Sequence, residues 1–168
     1  MAQLMTKPVS SERRDETGSA PAGKKAFKTI LSENVEWRAF ASFPASAQLA
    51  VVVGEPSEPG LYTVRVKVPH GVKLMPHRHP EDRIYTVISG VFYIGLGDEF
   101  DDGKLEAYPP GAVIVLPGNT SHFHWAKSSE YITQVSAIGP LGMEYVNSKD
   151  DPRNRRPACK TRPGHKTT

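Results

Sequence analysis

Between residues 45 and 146 the chain is cut into short runs rich in β-branched and aromatic residues. Gly, Pro, Asn or Asp stops nearly every one of them. The runs are LAVVV (49–53), LYTVRVKV (61–68), IYTVIS (84–89), VFYIGL (91–96), LEAY (105–108), AVIVL (112–116), HFHWA (122–126), YITQVSAI (131–138) and MEYV (143–146). None carries the apolar stripe that a helix of about 10–12 residues needs. In 61–68, Tyr62, Val64, Val66 and Val68 alternate with Thr63, Arg65 and Lys67, which is the pattern of a half-buried antiparallel strand. Many short strands with a turn signal at each boundary predict an all-β antiparallel sandwich or barrel and argue against an α/β fold.

The 168 residues suit one domain with tails. Residues 1–25 are rich in Ser, Thr, Lys, Arg, Glu and Gly and cannot bury enough apolar surface to offset the entropy of ordering, so they read as a disordered lead. The barrel domain is expected over 26–146, and a basic disordered tail over 147–168. The segment FKTILSENVEWRAF (27–40) has neither a helical stripe nor a strict alternation, which predicts short strands and turns.

The net charge of +3 misleads as a guide to partners. Residues 149–168 hold seven Lys and Arg against two Asp, so the basic excess lies in the tail and not in the fold. A solvated end is the reading of that tail, and no specific nucleic-acid partner is expected. No apolar run approaches the roughly 20 residues of a membrane span. The start, MAQLMTKPVSSERRDE, turns polar before a signal-peptide region can form, so a cytoplasmic location is expected. The single cysteine, Cys159, excludes an internal disulfide and a cysteine-based zinc site. A metal would have to be held by His and oxygen ligands.

Two stretches carry such ligands. In GVKLMPHRHPEDRIYTVISG (71–90), His77 and His79 stand two apart, so in an extended segment both imidazoles point the same way. In GAVIVLPGNTSHFHWA (111–126), His122 and His124 repeat the arrangement after a Pro–Gly turn. A barrel that sets one stretch beside the other would converge three or four imidazoles, a donor type suited to Zn, Fe, Ni or Cu. Phe123 and Trp125 alternate with the second pair and should face away, as core or oligomer contacts. Tyr85 and Tyr93 are candidates to line the barrel. His70 reads as a loop residue, and Gln134 as either inward and polar or half-exposed.

Together the stretches resemble the two motifs of the cupin superfamily. Gly71, His77, His79 and Gly90 stand at the spacings of the first motif, and Gly111, Pro117 and His122 at those of the second. Asn119 replaces the second motif's glycine, and Ala126 its asparagine. The resemblance implies an antiparallel double-stranded β-helix (jelly-roll or cupin barrel) that binds a divalent transition metal, Fe, Mn, Ni or Zn. It implies a homodimer as well. Carried over position by position, the metal ligands are His77, His79 and His122.

The family's glutamate ligand falls on Arg83, a cation at any working pH and repulsive to a metal. Four ways to complete the site follow. Glu81 or Asp82 swings in as an oxygen ligand, His124 supplies a fourth nitrogen, or water completes three histidines. Arg83 itself either pairs with Glu81 or Asp82 or holds an anionic substrate. The expected function is a metal-binding barrel acting on a small organic molecule, with dioxygenase-like oxidation first and isomerase or lyase chemistry behind it. Glu81 is then the acid/base candidate, and Arg83 and Tyr85 orient the substrate. The competing reading is a non-catalytic ligand-binding or sensor module.

Overall fold

The alternating segment around Tyr62–Val68 becomes one of the two longest strands of the molecule. In the computed structural model, which describes residues 29–154, eleven strands form: β1 (Arg38–Ala39), β2 (Gln48–Val53), β3 (Gly60–Val68), β4 (Lys73–Arg78), β5 (Arg83–Ser89), β6 (Phe92–Leu96), β7 (Glu106–Tyr108), β8 (Val113–Leu116), β9 (His122–Trp125), β10 (Tyr131–Gly139) and β11 (Glu144–Tyr145). Among the described residues the only helices are three single 3₁₀ turns, Ser32–Asn34, Asp102–Lys104 and Pro152–Asn154. The expected lead at 1–25, and residues 155–168 of the tail expected over 147–168, lie outside the described residues. Residues 147–154 continue from the barrel, where Arg153 donates to Asp151 and to the Met143 carbonyl.

Two antiparallel sheets face each other, in the orders β1-β2-β3-β10-β5-β8 and β11-β4-β9-β6-β7. Non-consecutive neighbours such as β3 with β10 and β4 with β9 are the crossovers of a jelly roll. The pairing of β3 with β10 runs without a break from Tyr131 opposite Val68 to Gly139 opposite Gly60. Every second residue on that ladder is inward, and Tyr62, Val64, Val66, Val68, Tyr131 and Val135 join Tyr85, Val87, Phe92 and Ile94 in one core. Each such side chain contributes about 1.5–3 kcal/mol by leaving water.

The outer faces of the two sheets differ. On the five-stranded sheet, Phe100 folds back over Phe123 at 4.9 Å between ring centroids. Lys73 Nζ lies 4.4 Å from the Trp125 ring. Phe123 is fully buried, and Gly95 makes room for it, since a Cβ there would meet the Phe123 ring at 2.4 Å. On the six-stranded sheet, Leu61, Ile84, Val113, Val115 and Ile138 remain 49–69% exposed.

One irregularity positions the site. Between Leu74, opposite His124, and His77, opposite His122, β4 carries one residue more than β9. This bulge falls at Met75–Pro76, where proline has no N–H for the ladder. It lets Leu74 and His77, three apart, share the inner face, and it aims His77 directly across at His122.

Candidate metal centre

His77 comes from the end of β4, His79 from the residue after that strand, and His122 from the start of β9. Their candidate donor atoms all lie within 4.8 Å of one another. Ring centroids are 4.3 Å apart for His77 and His122, 5.0 Å for His77 and His79, and 5.3 Å for His79 and His122. The three side chains are 1%, 4% and 0% exposed.

Each ring is pinned from behind by a backbone carbonyl. His77 Nδ1 lies 2.8 Å from Met75 O, His79 Nδ1 2.5 Å from Gly142 O, and His122 Nδ1 2.8 Å from Thr120 O. A ring nitrogen that faces a carbonyl carries the proton, so the lone pair falls on Nε2 and the ring cannot turn away. His122 Nε2 is buried without a hydrogen-bond partner. Burial also keeps the rings uncharged. It lowers the pKa of His77 and His79, with neighbouring positive charge adding to it, and lowers His122 to about 4. Three neutral nitrogens with converging lone pairs fit a divalent transition metal and leave positions open for other ligands.

Arg83 opens β5 on the inner face and is almost fully buried. It takes the pairing option with Glu81. Its Nε and Nη2 donate to Glu81 Oε1 at 3.0 and 2.5 Å, and Nη2 lies 3.4 Å from Tyr62 Oη. Tyr62 Oη also donates to Glu81 Oε1, at 2.7 Å, and the Gly142 N–H donates to Oε2 at 3.3 Å. Burial works against the Arg83 charge, but Tyr85, Tyr62 and Glu81 more than offset it, and the guanidinium pKa is raised.

The structure therefore engages the Glu81 carboxylate on Arg83, Tyr62 and Gly142, and Glu81 is not among the converging metal donors. Asp82 accepts from the Gly118 N–H at 2.6 Å instead. His124 does share the inner face with His122, 5.0 Å between ring centroids, but it sits opposite Leu74 and stays outside the group of three. Tyr85 is inward and stacks on Phe92 at 5.7 Å. Tyr93 pairs with Trp125 and Ala107 on the outer face, because strand alternation sends it opposite to Phe92 and Ile94. His70 is exposed, and Gln134 is half-buried on the outer face, accepting from Arg65 Nε at 3.2 Å.

The Asn119 replacement also has a local explanation. Its φ of 59° is in the left-handed region, which Asn tolerates better than other non-glycine residues. The turn survives, and the Asn119 N–H donates to His79 O at 2.6 Å. Three participants escaped the sequence reading: Gly142, Tyr62 as a polar partner, and Tyr131. The alternation put the two tyrosines' strands in the core, but nothing in it says where a phenol finds a partner.

His77, His79, His124 and Arg83 line a small interior cavity of about 10 Å³, together with Phe43, Leu74, Tyr85, Tyr131 and neighbours. Two larger clefts lie elsewhere. One of about 490 Å³ runs along β1 and β2 past Phe40, Leu49 and Val51, and one of about 470 Å³ lies between β6–β7 and β8, past Ile94, Tyr108 and Leu116. No helix of the described residues is long and apolar enough to cross a membrane.

No protein-family model matches the chain, and no curated protein does. Solved structures do. The polyketide cyclase RemF of Streptomyces resistomycificus superimposes with a TM-score of 0.63 at 19% identity, over 76% of this chain and 91% of that one. An RmlC-like cupin protein of Ralstonia eutropha gives 0.56 at 20% identity, over 75% and 76%. The DMSP lyase DddQ of Ruegeria pomeroyi gives 0.54 at 18%, over 67% and 61%. At these identities the likeness is one of architecture. The two-sheet jelly roll and its agreement with these barrels lead to one conclusion: the chain has the cupin fold.

Proposed function

We propose that this barrel holds a divalent Fe, Mn, Ni or Zn ion on His77, His79 and His122 and acts on a small organic molecule. The observation that carries this reading is the set of three Nδ1–carbonyl contacts, which hold three unprotonated Nε2 atoms toward one point. An ion bound there would polarise a substrate oxygen as a Lewis acid. The protein's own groups do the rest. Burial keeps the histidines out of bulk water, and the Arg83–Glu81–Tyr62 network holds the loop that carries His79. Glu81 acts as a positioning group, because its carboxylate already accepts from three side-chain donors and one backbone N–H.

For the reaction class, the names of the solved neighbours include a cyclase and lyases, which favours a non-redox lyase-type or cyclisation step over dioxygenase-like oxidation. Non-catalytic ligand binding is the second reading, favoured by Arg83 standing at the family's glutamate position, paired with Glu81. Metal content by mass spectrometry, in wild type, His77→Ala and His122→Ala, tests the site. Less than about 0.1 equivalent in wild type after supplementation with the four metals would refute it. Oxygen uptake by iron-loaded protein across a substrate panel separates oxidation from the non-redox classes.

We infer, too, that the molecule pairs with a second copy through the outer face of the six-stranded sheet. Leu61 pairs with Ile138, and Ile84 with Val115, in adjoining rungs of that face, with Thr63 and Ser136 between them. This aliphatic patch is itself uncharged and can meet its own copy, with Arg65 and Lys67 further along the same face of β3. Residues 155–168 have only Ala158 and Cys159 as apolar side chains, and residues 1–25 are mostly polar, so neither end suits the face as cover.

A further inference from the structure

The two neighbouring carboxylates between β4 and β5 grip different parts of the chain. Glu81 Oε2 accepts from the Gly142 N–H at 3.3 Å, and the Gly142 carbonyl in turn faces the His79 ring. Asp82 Oδ1 accepts from the Gly118 N–H at 2.6 Å, and Gly118 belongs to the turn 117–120, whose last carbonyl faces the His122 ring. Each carboxylate therefore holds the segment that supplies a backbone acceptor to a different histidine. Pro80 is packed between those two segments. A Cβ on Gly118 would meet the Pro80 carbonyl oxygen at 2.4 Å, and one on Gly142 would meet the Pro80 ring at 2.6 Å. The approach is close enough that a displacement of either segment is felt by its neighbour.

We propose that Asp82 is a positioning residue for His122, acting through the backbone of the turn 117–120. Asp82 is exposed and is not one of the converging donors, so its carboxylate does its work on Gly118. The path from there is short. The Asn119 N–H donates to the His79 carbonyl at 2.6 Å, and Thr120 O lies 2.8 Å from His122 Nδ1. Asn119 has a φ of 59°, a left-handed conformation whose cost the surrounding contacts must offset. With Asp82 gone, the turn keeps the Asn119 contact and loses the one at Gly118. Thr120 O then drifts from His122, and the ring proton exchanges between Nδ1 and Nε2, which takes the lone pair away from the point of convergence. His77 is the internal control, because its acceptor is Met75 O within β4 and owes nothing to this turn.

The consequence for affinity rests on the metal reading above, and the experiment separates the two. Full-length wild type, Asp82→Ala and Asp82→Asn are compared, the asparagine keeping an Oδ1 acceptor. Two-bond proton–nitrogen correlation on the ¹⁵N-labelled, metal-free protein reads the tautomer of each imidazole, and competition with a chelator reads Co²⁺ affinity. In Asp82→Ala, His122 should lose its single Nδ1–H tautomer while His77 keeps its own, and Co²⁺ should bind about 10-fold more weakly. Asp82→Asn should stay within about twofold of wild type and keep the His122 tautomer. An Asp82→Ala protein with the wild-type tautomer and affinity would overturn the positioning role and leave the metal site standing. So would equal losses in the alanine and asparagine variants, or a disturbance of His77 as large as that of His122. Failure of wild type to retain Co²⁺ would overturn the metal reading instead, and the His122 tautomer in the metal-free variants would then decide the positioning role alone.

Discussion

Removing Arg83 tests the electrostatic logic of the site most directly. Arg83 and Glu81 are 5% and 7% exposed at the side chain and 2.5 Å apart. Arg83→Leu leaves the Glu81 carboxylate buried without its cation. Breaking a buried pair from one side costs about 3–5 kcal/mol, because the survivor keeps its desolvation penalty. Here Glu81 retains the Tyr62 hydroxyl and the Gly142 N–H, so the low end applies, about 3 kcal/mol, or a fall in Tm of about 10 °C. Urea unfolding of metal-free protein, followed by circular dichroism, measures it. The double variant Arg83→Leu/Glu81→Leu should recover most of the loss, since hydrophobic replacement of a whole buried pair is close to neutral. A single-variant loss below about 1 kcal/mol, or a double variant no more stable than the single, would refute the reasoning.

Arg83→Glu should destabilise the metal-free protein through two adjacent buried carboxylates and gain more stability on metal addition than wild type does; equal metal-induced Tm shifts would count against this. Lowering the pH should destabilise the metal-free fold. The buried histidines have folded pKa values below the unfolded 6.5, so their contribution is complete above about 6.5 and is lost as pH falls toward the His122 value of about 4, by up to about 1.4 kcal/mol per unit for each group. Urea midpoints at pH 7, 5.5 and 4.5 check this, and a flat profile contradicts it. In Gly142→Ala the new Cβ would meet the Pro80 ring at 2.6 Å. The shift should loosen the Gly142 carbonyl behind His79 and weaken metal binding roughly 10- to 100-fold, as read by competition with a chelator. Ile84→Lys with Val115→Lys should give a monomer with an unchanged far-ultraviolet spectrum, whereas a wild-type protein already monomeric by light scattering would remove the basis for pairing.

Much of the fold was legible from the chain because strand alternation is local. Tyr62, Val64, Val66 and Val68 face inward as the two-residue period requires, and Gly, Pro, Asn or Asp punctuation lies at or near most of the observed strand ends. The histidines were legible for the same reason: residues two apart on a strand share a face, and the motif spacings of the cupin resemblance select His77, His79 and His122. The Arg83 position stood out from the family pattern, yet its partner did not. Glu81 and Asp82 are neighbours with the same charge, and only the packed loop sends Glu81 to Arg83 and Tyr62 and Asp82 to Gly118.

The sequence by itself determined which side chains point inward and that two histidine pairs could meet, since both follow from a period that needs no partner. Only the tertiary structure decided which histidines converge. His122 and His124 look equivalent along the chain, but their backbone positions are roughly 7 Å apart along the strand, and the extra residue at Met75–Pro76 turns His77 inward opposite His122 while Leu74 takes the place opposite His124. Register is a property of two strands together, and neither strand encodes it alone.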